Sequence, residues 1–297
     1  MKFGLSLSPH QWWKETKQLD MCIQKAEELG YDAIFVPDHY DLPPPSNLPH
    51  PLLVDCWTTL SYIAAKTSTI KIGSLVSPVP RWIPSQLAKV IASVDILSNG
   101  RVIAGLGAGY TGDEFINYSP TGVFAEPKIR FEMFLEGVEV IIKLWTMESV
   151  TFKGKYYTLN NASLFPKPVQ KPRPPIWSGG GRSRLLKATT RCFEGWAPTI
   201  FDVPTEFGTI PILPPEEYKV RVERIRGYLR NFGRDESSFT FAVLGSIDVN
   251  AEYIDRYKSA GCQYYIADVL PPGKPYPDPE QSVKKVEKFA NEIISSF

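Results

Sequence analysis

The chain has 297 residues, with 33 Lys and Arg against 32 Asp and Glu. So even a balance, at a pI near 7.6, supplies no global field for nucleic acid or an anionic membrane; neither is expected as a partner, and any anion site must be local. Cys22, Cys56, Cys192 and Cys262 form no C-x-x-C pair, which argues against a metal cluster, a dithiol centre or a secreted disulfide framework and fits a reducing cytoplasm. Met1-Lys2 runs straight into the alternating Phe3-Gly4-Leu5-Ser6-Leu7-Ser8 without a signal-peptide core, and no apolar run is long enough to span a bilayer, so a soluble, cytoplasmic protein is expected.

Short apolar runs alternate with amphipathic stretches along the chain, the pattern of repeated βα units and a parallel sheet. The first strand is expected at residues 2–8, followed by a helix whose stripe of Leu19, Cys22, Ile23, Ala26 and Leu29 stops at Gly30. The second and third strands fall at 33–36 and 70–76. Leu87, Val90, Ile91, Val94 and Leu97 then repeat the helical stripe up to Asn99-Gly100, and the fourth strand follows at 102–106. A helix over 128–145 leads into a β-hairpin at 150–159 that turns at Lys153-Gly154, and Pro166, Pro168, Pro172, Pro174 and Pro175 make the next stretch an extended connector. The remaining strands are expected at 176–178, 195–197, 239–244 and 264–269. Four units lie on each side of the connector, so the economical fold is one α/β domain over residues 1–297: a (β/α)8 TIM barrel with insertions after strand four and before strand five.

Ligands of such barrels sit at the C-terminal ends of the strands. Two strand ends are glycine-rich, Ala104 to Gly109 and Ile176 to Gly181, where missing side chains let a backbone approach a ligand closely. Gly107, Gly109 and Gly112 spell G-x-G-x-x-G, yet Asn117, Ser119-Pro120 and Gly122 predict that these glycines open no helix, which makes a dinucleotide fold the weaker reading. Gly179-Gly180-Gly181 before Arg182 and Arg184 suits a phosphate, or is a tight strand-to-helix turn with solvated arginines. His39, beside Asp38 at a strand end, is the candidate acid or base, with a loop hydrogen bond as the plainer alternative. His10 and His50 read as loop residues. With three histidines and no acids clustered at ligand spacing, no metal is expected. Trp12, Trp13, Trp57, Trp82, Tyr110 and Trp177 near strand ends hint at a flat ligand.

Taken together, Leu29 to His39, Ile72 to Pro78, Leu97 to Val102 with Gly105 to Gly109, and Pro175 to Gly181 resemble the bacterial luciferase-like superfamily, and more closely its branch that uses coenzyme F420. The resemblance implies a hydride exchange between F420 and a small organic substrate. His39 would handle the proton, and Asp38, Ser74, Leu75, Ala108, Gly109, Ser178, Gly179 and Gly180 would contact the cofactor. Trp13, Tyr40 and Tyr110 would line the substrate pocket. It also implies a non-prolyl cis peptide between Ser74 and Leu75, and Arg81, Arg182 and Arg184 as partners for the phosphate and acidic tail. Where several relatives carry a glutamate after the Gly-x-Gly, this chain has Tyr110, which departs from their acid/base arrangement. The alternatives are a two-component FMN monooxygenase and a flavin-binding protein without turnover; a homodimer is left open.

Overall fold

The computed structural model describes residues 1–7, 16–41, 53–181, 183–205, 208–269 and 279–297. In chain order its elements are β1 (Lys2–Ser6), α1 (Thr16–Glu28), β2 (Ala33–Val36), α2 (Cys56–Lys66), β3 (Lys71–Ser74), β4 (Ser77–Pro78), α3 (Pro84–Leu97), β5 (Val102–Gly107), α4 (Gly112–Tyr118) and α5 (Pro127–Thr146). There follow β6 (Val150–Lys153), β7 (Thr158–Ala162), β8 (Ile176–Ser178), α6 (Ser183–Thr189), β9 (Gly195–Trp196), β10 (Val203–Thr205), β11 (Gly208–Ile210), α7 (Pro215–Asn231), β12 (Thr240–Ser246), α8 (Ala251–Ser259), β13 (Tyr264–Asp268) and α9 (Pro279–Glu292). Parallel neighbours run β3, β2, β1, β13, β12, β9, β8, β5, and Ile72 pairing with Val102 joins β5 back to β3. The sheet is therefore a closed eight-stranded TIM barrel.

Closure follows from strands that are apolar on both faces. Ala33 and Phe35 of β2, Ala242 and Leu244 of β12, and Tyr264 and Ile266 of β13 fill the barrel interior together with Ile103 and Trp177. Their alternating neighbours Ile34, Val36, Val243 and Tyr265 face the helix layer. Proline marks the first turn of α3, α5 and α7, where its missing N–H costs nothing, and the side chains of Asp55 and Asn250 cap α2 and α8 through Thr58 and Tyr253. The hairpin β6–β7 forms as expected, with its second strand reaching Ala162. A second hairpin, β10–β11, has no counterpart in the sequence reading.

Two expectations need correction here. The third strand does not run unbroken over 70–76: β3 ends at Ser74, the cis peptide lies at Leu75-Val76 rather than Ser74-Leu75, and the path resumes as β4. The glycines before Asp113 do open a helix, α4, because Asp113 and Glu114 occupy its first turn before Ser119-Pro120 ends it after seven residues. The first glycine run also serves the protein itself. A Cβ on Gly105 would overlap the Ser74 carbonyl and one on Gly107 would press on Val76, so these glycines admit the irregular end of the neighbouring strand.

Candidate active site

Three strand ends converge on one charged cluster. His39 follows β2, Arg81 lies in the short turn after β4, and Glu114 sits in the first turn of α4. Glu114 is almost fully enclosed and accepts from the backbone N–H groups of Tyr40 at 2.5 Å and Asp41 at 3.1 Å. Its other oxygen lies 3.1 Å from His39 Nδ1 and 3.1 Å from Arg81 Nη1. Burial alone would raise the Glu114 carboxyl, but His39, Arg81 and the Asp41 N–H outweigh it and hold the group below its ordinary value. A carboxylate can only accept, so His39 Nδ1 donates to it; in the neutral ring this leaves Nε2 to accept from the Tyr110 hydroxyl, 3.2 Å away. Burial, and then the Glu114 charge, push the Tyr110 phenol up, which keeps it protonated near neutrality.

Behind this line lies a second carboxylate. Asp38 is completely buried, receives Arg81 Nη2, and accepts from Trp82 Nε1 at 3.1 Å. Burial pushes Asp38 up, against the opposing pull of Arg81, Ser77 and Trp82. The guanidinium is thus shared between two carboxylates and sandwiched by the Tyr40 ring, 4.0 Å from its centroid. Such a buried cation loses several kcal/mol, roughly 3–5, if one partner is removed, so its geometry is rigid.

The expected cofactor contacts divide by what the fold leaves free. Ser74 donates its hydroxyl to the Gly105 carbonyl at 2.8 Å, and the enclosed Asp38 carboxylate is held by Arg81 and Trp82, so both side chains have partners within the protein. Arg81, expected at an anion, is spent on Asp38 and Glu114. Arg184 lines a groove between α5, α6 and α7 on the outer face rather than the mouth. Trp177 packs inside the barrel against Phe35 and Tyr264, and Trp57 donates to Ser77 Oγ at 3.0 Å; both are core. Leu75, like Phe201, is half-buried against the interior cluster, and Ala108 is half-buried at the end of β5. Gly109 takes a left-handed φ of 77° with the Phe115 ring where a side chain would point. Trp12, Trp13, His10, His50 and Arg182 lie outside the described residues.

The end of β8 is different. Ser178 Oγ is buried without a hydrogen-bond partner, and a Cβ built on Gly179 meets only ordinary contacts from Val76 and the Ala197 carbonyl. An orphaned hydroxyl beside open backbone fits an oxygen-rich ligand group. Gly180 donates no side chain but its carbonyl accepts from Trp196 Nε1 at 2.9 Å, which fixes the loop. Arg221 lies against Gly181, and Arg224 donates to Ser183 Oγ at 2.7 Å, so positive charge collects on this side. The residue that sequence reasoning missed is Glu114; its signal was an acid pair, Asp113-Glu114, directly after a strand-end glycine motif. Among the described residues no group of three or more His, Cys, Asp or Glu is placed to hold a metal ion, and no helix is long and apolar enough to cross a membrane.

Comparison with known proteins agrees with this architecture. The family model described as luciferase-like monooxygenase matches residues 1–266. An F420-dependent glucose-6-phosphate dehydrogenase from Kineococcus radiotolerans is 34% identical over 207 residues, 67% of this chain and 56% of that protein. The chain therefore spans little more than half the length of that relative. Among solved structures, an F420-dependent secondary alcohol dehydrogenase in complex with an F420-acetone adduct superposes with a TM-score of 0.78 at 19% identity, covering 100% of this chain and 99% of that one. The oxygenating constituent of 3,6-diketocamphane monooxygenase from Pseudomonas putida, in complex with FMN, gives 0.74 at 15% identity over 100% and 99% of the two chains. At those identities the two structures show a shared fold. With the family model covering nearly the whole barrel, the chain belongs to the luciferase-like monooxygenase family.

Proposed function

We propose that this chain is an oxidoreductase that exchanges a hydride between coenzyme F420 and a small organic substrate at the barrel mouth. The observation that carries the reading is the connected line from Glu114 through His39 to Tyr110, 3.1 and 3.2 Å at its two joints. Hydride transfer to or from a carbon bearing oxygen requires one proton to be delivered or removed at that oxygen, and a line of donor, imidazole and carboxylate does this. Glu114 orients the imidazole, His39 holds the proton, and Tyr110 passes it at the other end of the line. When bound, the coenzyme supplies the hydride chemistry. Ser178 Oγ and the backbone of Gly179 and Gly180 would hold its phosphate, with Arg221 and Arg224 toward the acidic tail. Leu75 and Ala108-Gly109 would bound its ring. The Kineococcus relative, named for F420, supports the choice of coenzyme.

A second reading, an FMN monooxygenase, is favoured by the family description itself. Parallel titration of the isolated protein with oxidised and reduced F420 and FMN separates the two. We expect F420 to bind at micromolar or tighter, about 8 kcal/mol or more, with FMN weaker and no oxygen consumed. Tight FMN binding with oxygen uptake would replace the assignment by the monooxygenase; binding without electron exchange would make the chain a flavin carrier. His39→Ala should keep the binding and lose turnover by ~100- to 10,000-fold.

A further inference from the structure

Charge is unevenly distributed around the mouth. Among the segments that follow the eight barrel strands in sequence, Lys and Arg occur only as Lys14, Arg81, Arg182 and Lys274. The two segments that carry the proton line, 37–55 and 107–126, contain neither Lys nor Arg, whereas Asp38, Asp41, Asp113 and Glu114 all lie in them. Arg81, the cation nearest that line, is fully enclosed by Asp38 and Glu114 and has no face turned to the mouth. Two cations of α7 lie instead at the end of β8, where Arg221 meets Gly181 and Arg224 meets Ser183. A phosphate beside His39 would face carboxylates without a free cation among the described residues, a repulsion that nothing there offsets.

What does line that side is aromatic. Tyr118 is 49% exposed and meets Tyr40 edge-on, ring centroids 5.2 Å apart; Tyr40 in turn lies 6.3 Å from Trp82. Surfaces of this kind take up alkyl or ring carbon and offer few partners to a polyol.

We propose that the substrate of this site is an uncharged, lipophilic alcohol or carbonyl compound rather than a phosphorylated sugar. The inference rests on the oxidoreductase reading above and specifies its substrate class. In the oxidising direction the bound coenzyme, in its oxidised form, would supply the acceptor for the hydride that leaves with the electron pair of the broken carbinol C–H bond. The hydroxyl proton passes to Tyr110 as Tyr110 gives its own to His39 Nε2, and the C=O bond forms. Reduction of the carbonyl reverses each transfer.

The test compares 2-butanone through 2-octanone, and the matching 2-alkanols, with glucose 6-phosphate. Turnover of the F420-loaded enzyme is one readout; calorimetric binding of 2-octanone and of glucose 6-phosphate to the protein without coenzyme is the other. We expect kcat/KM to rise about three- to fourfold per added methylene, hence on the order of a hundredfold across the series, with glucose 6-phosphate neither bound nor turned over. Tyr118→Lys should flatten the chain-length slope and leave the F420 dissociation constant unchanged. A flat series, or glucose 6-phosphate that binds or reacts as well as 2-octanone, would overturn the proposal. If F420 itself fails to bind, the coenzyme assignment falls, and the calorimetric arm still decides the substrate class.

Discussion

Glu114→Gln keeps the shape of the side chain and removes its charge. A glutamine can retain the bonds from the Tyr40 and Asp41 N–H groups, made at 2.5 and 3.1 Å, through its carbonyl oxygen. Its NH2 then replaces the oxygen that lies 3.1 Å from both His39 Nδ1 and Arg81 Nη1. Against Arg81 this sets donor against donor. Against His39 the amide can only donate, so the imidazole must shed the proton from Nδ1 and carry it on Nε2, where it faces the Tyr110 hydroxyl as a donor. The line then runs the wrong way. Losing two charge-assisted contacts, each worth about 1.5–3 kcal/mol, while Arg81 keeps Asp38, should destabilise the fold by about 3–5 kcal/mol. At 2–4 °C per kcal/mol, this lowers Tm by roughly 6–20 °C. Turnover, followed through the absorbance change of F420, should fall by ~100- to 10,000-fold with the coenzyme dissociation constant unchanged. Wild-type kcat in a folded Glu114→Gln protein, or a loss of coenzyme affinity as large as the loss of kcat, would refute the reasoning.

Three other perturbations probe different links. Ser178→Ala removes a buried hydroxyl that has no partner, so thermal denaturation should show unchanged or slightly raised stability, by about 1 kcal/mol, while calorimetry shows F420 binding roughly tenfold weaker; equal binding would free Ser178 from the site. Gly105→Ala places a Cβ into the Ser74 carbonyl, and denaturant unfolding should reveal a loss of about 3 kcal/mol or more; a neutral effect would mean that the two strand ends can move apart. Glu27 accepts from the N–H groups of Ser68, Thr69 and Ile70, and although burial opposes ionisation these bonds hold its carboxyl at about 2 instead of 4.5. The folded value is the lower one, so its stabilisation is complete above pH 4.5 and is lost as pH falls from there toward 2, an effect of about 1–2 kcal/mol once solvent screening is allowed for. Glu27→Gln should flatten that part of the stability-against-pH curve; an unchanged acid limb would assign it to other carboxylates.

The barrel was legible because its cause is local. Strands buried on both faces read as short apolar runs, and the stripe from Leu19 to Leu29 reports a helix face without any knowledge of what it packs on. The third strand was misread over 70–76 for the same reason: apolar character continues through Leu75 and Val76, while the break at Ser74 depends on how β5 is seated beside it. The seven residues of α4 escaped because the turn signals at Asn117 and Ser119-Pro120 were read as forbidding a helix they merely terminate.

By itself the sequence determined the eight alternating units, the glycine-rich strand ends, the position of His39 and the scarcity of cations in the segments after the strands. Those follow from residue types and their spacing along the chain. Only the tertiary structure decided that Glu114, 75 residues away, is the partner of His39, that Arg81 is consumed by Asp38 and Glu114, and that Ser178 keeps a free hydroxyl while Ser74 does not. Each of those outcomes depends on which loops the closing barrel brings within about 3 Å of each other, the range over which a hydrogen bond or buried ion pair is made or lost, and periodicity along one strand carries no information about the strand beside it.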